Sequence, residues 1–329
     1  MKILLVRFSS IGDIVLTTPL IRCLKKQTEA ELHFLTKKSF APILLPNPHL
    51  DSVFSIERKI WEVVPILRRE RYDYIIDLHH NMRSFSLKKM LFSVPAYSFK
   101  KLNIEKWLLV NFKINRLPNK HIVDRYIDTA ASFGIENDGL GLDFFFETTP
   151  LLPLPFSDYI ALPIGAGKVT KALTVNKIVE IIENISIPIV LLGGKKEVHK
   201  AKLIERKLEK NHARRKLRWS NLVGKCSLAE SAWIIKNATI VLTGDTGLMH
   251  IAAAFKKNII TIWGNTTPKF GMYPYYAGGN NLNTNIEHLT LPCRPCSKIG
   301  YDACPQGHFN CIEQLDSQLI LSEIQRLLT

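Results

Sequence analysis

The sequence predicts an α/β fold of two Rossmann-like domains, each a parallel sheet covered by helices, facing each other across a cleft. Three observations carry this expectation. Short, continuous apolar runs alternate with helical stretches, the pattern of strands buried on both faces of a parallel sheet. The scheme runs twice along 329 residues, a length that suits two cores of about 150 residues better than one. Between the two runs lies ETTPLLPLPFSD, residues 147–158, with Pro150, Pro153 and Pro155 close together. Such a stretch makes a poor helix and a poor central strand. The expected domains are therefore 1–150 and 158–329.

Each element follows from local chemistry. KILLVRF opens the chain as a buried strand, and SSIGD is the tight loop after it. A helix is predicted over 14–26, with Pro19 near its first turns. AELHFLT (30–36) and YDYIIDL (72–78) read as further strands. After the linker, YIALPIG is a strand, AGKVTKALT a loop, and 175–185 a helix. IPIVLLGG is a strand ending in glycines, with a charged helix over 198–210 behind it. Ser227, with Glu230 three residues on, forms a capping-box pattern at the head of SLAESAWIIKNA. Strand TIVLTG, helix LMHIAAAF and strand NIITIWG follow, then an amphipathic helix over 315–328.

Composition narrows the function. Apolar residues make up 46% of the chain, which supplies core material and excludes intrinsic disorder. The formal charge is +15, and a field of that sign favours nucleic acid, nucleotides, phosphorylated lipid or an acidic membrane face. GxGxxG and the P-loop pattern GxxxxGKS/T are both absent from the sequence, which counts against the standard sites that use them. No apolar run approaches the roughly 18 residues of a membrane span. The run after Lys2 is too short for a secretory signal. The expected compartment is the cytosol, where thiols stay reduced.

In open parallel sheets, ligands bind beyond the carboxyl ends of strands, where helix N-termini aim N–H groups outward. Three predicted strand ends hold unusual residues. In SSIGD, Asp13 follows Gly12; the acid reads as a helix cap or as a general base for an incoming hydroxyl. In PIGAGKVTKALT (163–174), Thr170 between Lys168 and Lys171 suits a phosphate oxygen, or the stretch is a solvated basic loop. In TGDTGLMHIAAAF (243–255), Gly244 and Gly247 keep the turn open. Asp245, Thr246 and the N–H groups of 246–249 crowd a helix N-terminus that favours an anion. His250 reads as a phosphate donor or as a core histidine.

With these residues the chain resembles glycosyltransferase family 9, the group that includes the lipopolysaccharide heptosyltransferases. The matching stretches are ILLVRFSSIGDIVLTTPLIRCLKK at the start, YDYIIDLHHNMRS near residue 80, GGKKE at 193–197 and TGDTGLMHIAAAFKKNIITIWGNTTP at 243–268. The resemblance implies a GT-B fold. It implies inverting transfer from a nucleotide-activated sugar, ADP-heptose in the characterised members, onto a lipopolysaccharide core. Carried over by position, Asp13 is the catalytic base. Donor contacts are Thr170, Lys171, Glu197, Asp245, Thr246, Gly247, Leu248, Met249 and His250, with Glu197 at the ribose. Ser10, Gly12, Arg83, Lys88 and Lys89 are the expected acceptor contacts. The implied partners are a nucleotide-sugar donor and a phosphorylated glycolipid acceptor, which places the enzyme in the cytoplasm, peripheral at the inner membrane. Two stretches depart from the family pattern. Ala172, Leu173 and Thr174 stand where an aromatic and a proline are common, and NTTP at 265–268 replaces G-P-T-x-P.

D-x-D, the usual metal-holding pair of sugar transferases, is absent from the sequence. Lysines and a helix terminus are expected to supply the positive charge, with no cofactor for catalysis. Residues 83–120 hold nine Lys and Arg against Glu105 alone, interleaved with apolar side chains. This is the expected acceptor surface of the first domain. Cys293, Cys296, Cys304 and Cys311 form C-x2-C-x7-C-x6-C, which reads first as a structural zinc site, with free thiols or two disulfides as alternatives. Two rival functions remain at this stage: transfer from another NDP-sugar, and nucleic-acid binding by the basic face and the cysteines. No nucleic-acid-binding motif is recognisable, so a nucleic-acid partner is not expected.

Overall fold

The computed structural model describes residues 1–211, 218–279 and 282–328. One sheet contains β1 (Lys2–Val6), β2 (Glu31–Lys37), β3 (Ser52–Ile56), β4 (Tyr74–Asp77) and β5 (Ala96–Ser98), in the order β3-β2-β1-β4-β5. The other contains β6 (Ile160–Pro163), β7 (Ile189–Leu192), β8 (Trp219–Asn221), β9 (Ile240–Gly244), β10 (Asn258–Trp263) and β11 (Asn283–Glu287), in the order β11-β10-β9-β6-β7-β8. All pairings are parallel. β1 has neighbours on both sides and helices on both faces, so Ile3, Leu4, Leu5 and Val6 are fully buried. This is why its sequence is a continuous apolar run. β3 and β5 are edge strands with mostly half-exposed residues, and their apolar pattern is too weak to announce a strand.

Helices follow the expected pattern with one instructive difference. The single helix predicted over 14–26 is two, Ile11–Val15 and Thr18–Thr28. Pro19 has no N–H to continue the first helix and its ring collides with the carbonyl four residues back. It sits instead in the opening turn of the second, where neither matters. The capping box forms as read: Ser227 N donates to Glu230 Oε2 at 2.7 Å and Glu230 N to Ser227 Oγ at 3.2 Å.

Contacts divide the chain into unit 1, Met1–Leu102 with Asn119–Thr148, and unit 2, Asn103–Pro118 with everything from Thr149. The last break, after Thr148, falls inside the proline-rich stretch. The excursion of 103–118 does not follow the expected boundaries: part of the basic region belongs to unit 2. Long-range bonds hold it there. Lys113 Nζ donates to the carbonyls of Pro295 and Cys293 at 2.9 and 3.3 Å, and Lys298 Nζ donates to Asn103 Oδ1 at 3.2 Å. None of these partners is near in sequence, so no local pattern announces them.

In each sheet the strand order reverses direction at one point, between β1 and β4 and between β6 and β9. Adjacent loops there leave in opposite directions and open a crevice at the carboxyl ends of the strands. The candidate residues collect at these two places.

Candidate active site

In unit 1, β1 hands the chain to Arg7, which is buried. Its guanidinium pairs with Asp13 Oδ1 at 2.7 Å and donates to the carbonyls of Leu78 and Ser9 at 2.5 and 2.8 Å. The other oxygen of Asp13 accepts from Ser10 N at 3.0 Å and Ser10 Oγ at 2.8 Å. The structure shows the capping role on Oδ2 and adds a cation, Arg7, on Oδ1. Burial alone would raise the Asp13 pKa, but the Arg7 charge and the Ser10 bonds outweigh it and hold it at about 2. The carboxylate is ionised throughout the physiological range. Arg7 carries no signal in the sequence, because one arginine at a strand end looks like any surface cation.

Beside this pair, His79 follows β4. Its ring meets Phe8 edge-on with centroids 5.3 Å apart, and its buried Nδ1 has no protein partner. Burial, then the charges of Arg7 and Lys101, lowers its pKa to about 4, so the imidazole is neutral.

The expected acceptor residues divide. Ser10 is exposed and Gly12 buried. Arg83 lies over the Phe8 ring at 5.4 Å, and exposed Lys89 over Phe85 at 4.8 Å. Lys88 does not fit the expectation. Its ammonium lies 2.9 Å from Asp77 Oδ2, a fully buried carboxylate, and 2.6 Å from Ser98 Oγ. It neutralises a core charge at the end of β4. Lys88→Ala is accordingly expected to destabilise the protein by about 3 kcal/mol, the cost of stranding a buried charge. Lys89→Ala should stay within about 0.5 kcal/mol. Urea unfolding of the two variants checks the contrast.

In unit 2, the loop after β6 and the turn after β9 are locked together. Lys171 Nζ lies 2.6 Å from Asp245 Oδ2, which also accepts from Thr266 Oγ1 at 3.0 Å. The backbones touch so closely that a Cβ on Gly244 would fall 2.2 Å from the carbonyl oxygen of Lys171, and one on Gly264 would fall 2.6 Å from that of Thr170. Only glycine fits at both positions. The helix Gly247–Ala254 is capped by Thr246, whose Oγ1 accepts from Met249 N at 3.2 Å. Asp245 is therefore released from capping and holds Lys171 instead. Gly247 and Leu248 are partly exposed at the helix head, while Met249 and His250 are buried. Thr170, expected to meet phosphate, is buried with its hydroxyl donating to Tyr301 O at 3.0 Å and accepting from Tyr301 N at 2.7 Å. Glu197, after β7, accepts from Gly194 N at 2.9 Å and lies against Gly165.

Two further residues were not legible in the sequence. Lys200 Nζ donates to the carbonyls of Ile164, at 2.8 Å, and Leu173, tying both ends of the 164–173 loop together; burial lowers its pKa to about 8. Asn265 is 1% exposed, yet neither side-chain amide atom has a protein partner. It stands next to Thr266, at the position where the chain departs from the family pattern.

The sequence model of Glycosyltransferase family 9 (heptosyltransferase) matches residues 60–302. The chain belongs to glycosyltransferase family 9. Lipooligosaccharide heptosyltransferase 2 of Campylobacter jejuni is 24% identical to this enzyme, over 100% of this chain and 98% of its own. Among solved structures, the family 9 glycosyltransferase of Veillonella parvula superposes with a TM-score of 0.74 at 18% identity, covering 99% of this chain and 97% of that one. The E. coli ADP-heptose LPS heptosyltransferase II gives 0.71 at 20%, covering 100% and 98%. The fold of this glycosyltransferase is thus GT-B, built from two parallel-sheet units.

The cysteine segment of this family 9 enzyme is held by its own protein bonds. Arg294 donates to the carbonyls of Gly264, His288 and Thr266 at 2.5, 2.7 and 2.9 Å and pairs with Glu287 at 2.9 Å. All four cysteines are free thiols, and burial pushes that of Cys311 up to about 12. Among the described residues, the side chains gathered closely enough for a metal are Glu31, His33 and Glu70, not the four cysteines. Cys293, Cys296, Cys304 and Cys311 lie near enough to one another for their charges to interact, and a zinc ion on them is not shown. The acidic group is already served by Lys2, whose ammonium lies 2.9 Å from Glu31 and 2.8 Å from Glu70.

Proposed function

We propose that this glycosyltransferase moves heptose from ADP-heptose onto a lipopolysaccharide core acceptor at the inner membrane surface, with inversion at the anomeric carbon. The observation that carries the proposal is the Lys171–Asp245–Thr266 cluster at the strand-order reversal of unit 2. There a fixed ammonium meets a helix N-terminus, and both favour an anion. The donor diphosphate binds to Lys171 and the N–H groups of 246–248, with Asp245 orienting the lysine. Glu197, one strand away, takes the ribose hydroxyls. The unspent amide of Asn265 meets the sugar or its phosphate.

An acceptor hydroxyl gives its proton to Asp13 as its oxygen bonds to the anomeric carbon. The bond from that carbon to the diphosphate breaks, and ADP leaves with the electron pair, its charge stabilised by Lys171. Arg83 and Lys89 meet acceptor phosphates. The heptose and the ADP are supported by the likeness to the Campylobacter heptosyltransferase and to the E. coli ADP-heptose LPS heptosyltransferase II. The substitution of NTTP at 265–268 favours a second reading, in which a different NDP-sugar is used.

The test is nucleoside diphosphate release from ADP-heptose and from a UDP-sugar, with heptose-free core lipopolysaccharide as acceptor and EDTA present. ADP-heptose should be used at least about 10²-fold faster, a ratio that buried polar contacts to the nucleotide readily supply. EDTA should leave the rate unchanged, because Lys171 takes the place of a cation. A preference for the UDP-sugar would move the enzyme to the second reading. Activity lost in EDTA and restored by Mg²⁺ would overturn the metal-free step.

A further inference from the structure

The helix Asn103–Phe112 turns the wrong face outward. A surface helix ordinarily buries its apolar stripe and exposes its charges. Here Leu109 alone is buried, while Ile104, Trp107 and Phe112 are 72, 53 and 58% exposed, and Ile114 just beyond is 47% exposed. Positions 104, 107, 108, 111 and 112 share one side of a helix, so the exposed side chains form a stripe. Trp107 and Phe112 stack edge-on, with centroids 5.2 Å apart. Scattered exposed apolar residues are ordinary, but a contiguous group marks an interaction surface.

The surroundings say what covers it. Between 100 and 120 stand Lys100, Lys101, Lys106, Lys113, Arg116 and Lys120, against Glu105 as the one acid. Hydrogen bonds from Lys113 to backbone carbonyls leave its charge in place. An apolar stripe with an aromatic pair, fringed by cations, is complementary to a bilayer surface with anionic headgroups. Each basic residue there contributes about 1 kcal/mol. No described helix is long and apolar enough to cross a membrane, so the contact lies in the plane of the interface. The helix is tethered to the cysteine segment of unit 2 through Lys113 and Lys298.

We propose that the 103–114 segment is an interfacial anchor that inserts Ile104, Trp107 and Phe112 among anionic lipids. This goes beyond the acceptor reading, because the contact needs no glycolipid. The test is flotation of the full chain with phosphatidylcholine vesicles, with and without phosphatidylglycerol, and lacking any acceptor. The protein should float with the phosphatidylglycerol vesicles and be released by salt or by omitting the anionic lipid. The triple variant Ile104→Ser, Trp107→Ser, Phe112→Ser should bind the vesicles at least about tenfold more weakly, with its circular dichroism and ADP affinity unchanged. Should that variant misfold, Trp107→Ala carries the same test with a smaller loss. Equal flotation of variant and parent overturns the proposal. So does failure of the parent to bind anionic vesicles. A shift from oligomer to monomer in the variant without vesicles would assign the stripe to a second copy of the chain, and also overturns it. Because ADP affinity is read separately, none of these outcomes touches the transferase reading.

Discussion

Asp13→Asn is expected to lower turnover by about 10²–10⁴-fold, the range for loss of a general base, and to leave ADP affinity unchanged. The amide oxygen still accepts from Ser10, so the helix end survives, but the amide takes no proton. Arg7→Leu then tests why the carboxylate is poised as it is. With the guanidinium gone and burial remaining, the Asp13 pKa should rise from about 2, the Ser10 bonds still opposing part of the rise. With Asp13 as the proposed base, the acid limb of kcat/KM in the parent is expected near pH 2. In Arg7→Leu it should move to higher pH, with activity lost as pH falls through the new value. The pair's contribution to stability has the same sign: it is complete above pH 3.8 and fades as pH falls towards 2. An unchanged pH profile in Arg7→Leu, or full turnover in Asp13→Asn, removes Asp13 from the mechanism.

Lys171→Met should weaken ADP by about 1.5–3 kcal/mol, the worth of a charged hydrogen bond, which is tenfold or more in Kd. Adenosine has no phosphate and should bind as before. The variant also strands Asp245, whose carboxylate would then repel the diphosphate. Adding Asp245→Asn to Lys171→Met should therefore recover part of the lost affinity, a coupling expected of residues in contact. Calorimetry with ADP and adenosine reads all three. Equal weakening of both ligands by Lys171→Met would place the lysine in structural support rather than at the phosphates.

The local grammar of this protein was legible in the sequence. Continuous apolar runs became central strands because parallel sheets bury both faces. Ser227 and Glu230 capped a helix because that bond closes within four residues. Pro19 carries the helix break in the sequence itself, since its missing N–H and its ring divide any helix that passes through it. The strand-end loops were also legible: Asp13, Lys171 and Asp245 lie where parallel sheets put their ligands.

Partnership was decided only by the tertiary structure. The cation beside Asp13 came from Arg7, delivered by the end of β1. Asp245 was freed for Lys171 because Thr246 took over the cap. Lys88 was drawn from the expected acceptor surface to a buried carboxylate, and Thr170 from phosphate to the backbone of Tyr301, 131 positions away. Residues 103–118 joined unit 2 through bonds to 293–298, leaving an apolar stripe in solvent. Periodicity and capping act within a few residues, so one sequence displays them. An ion pair or a docked helix is chosen by which segments the sheet order brings together, and that distance is not written in the local pattern.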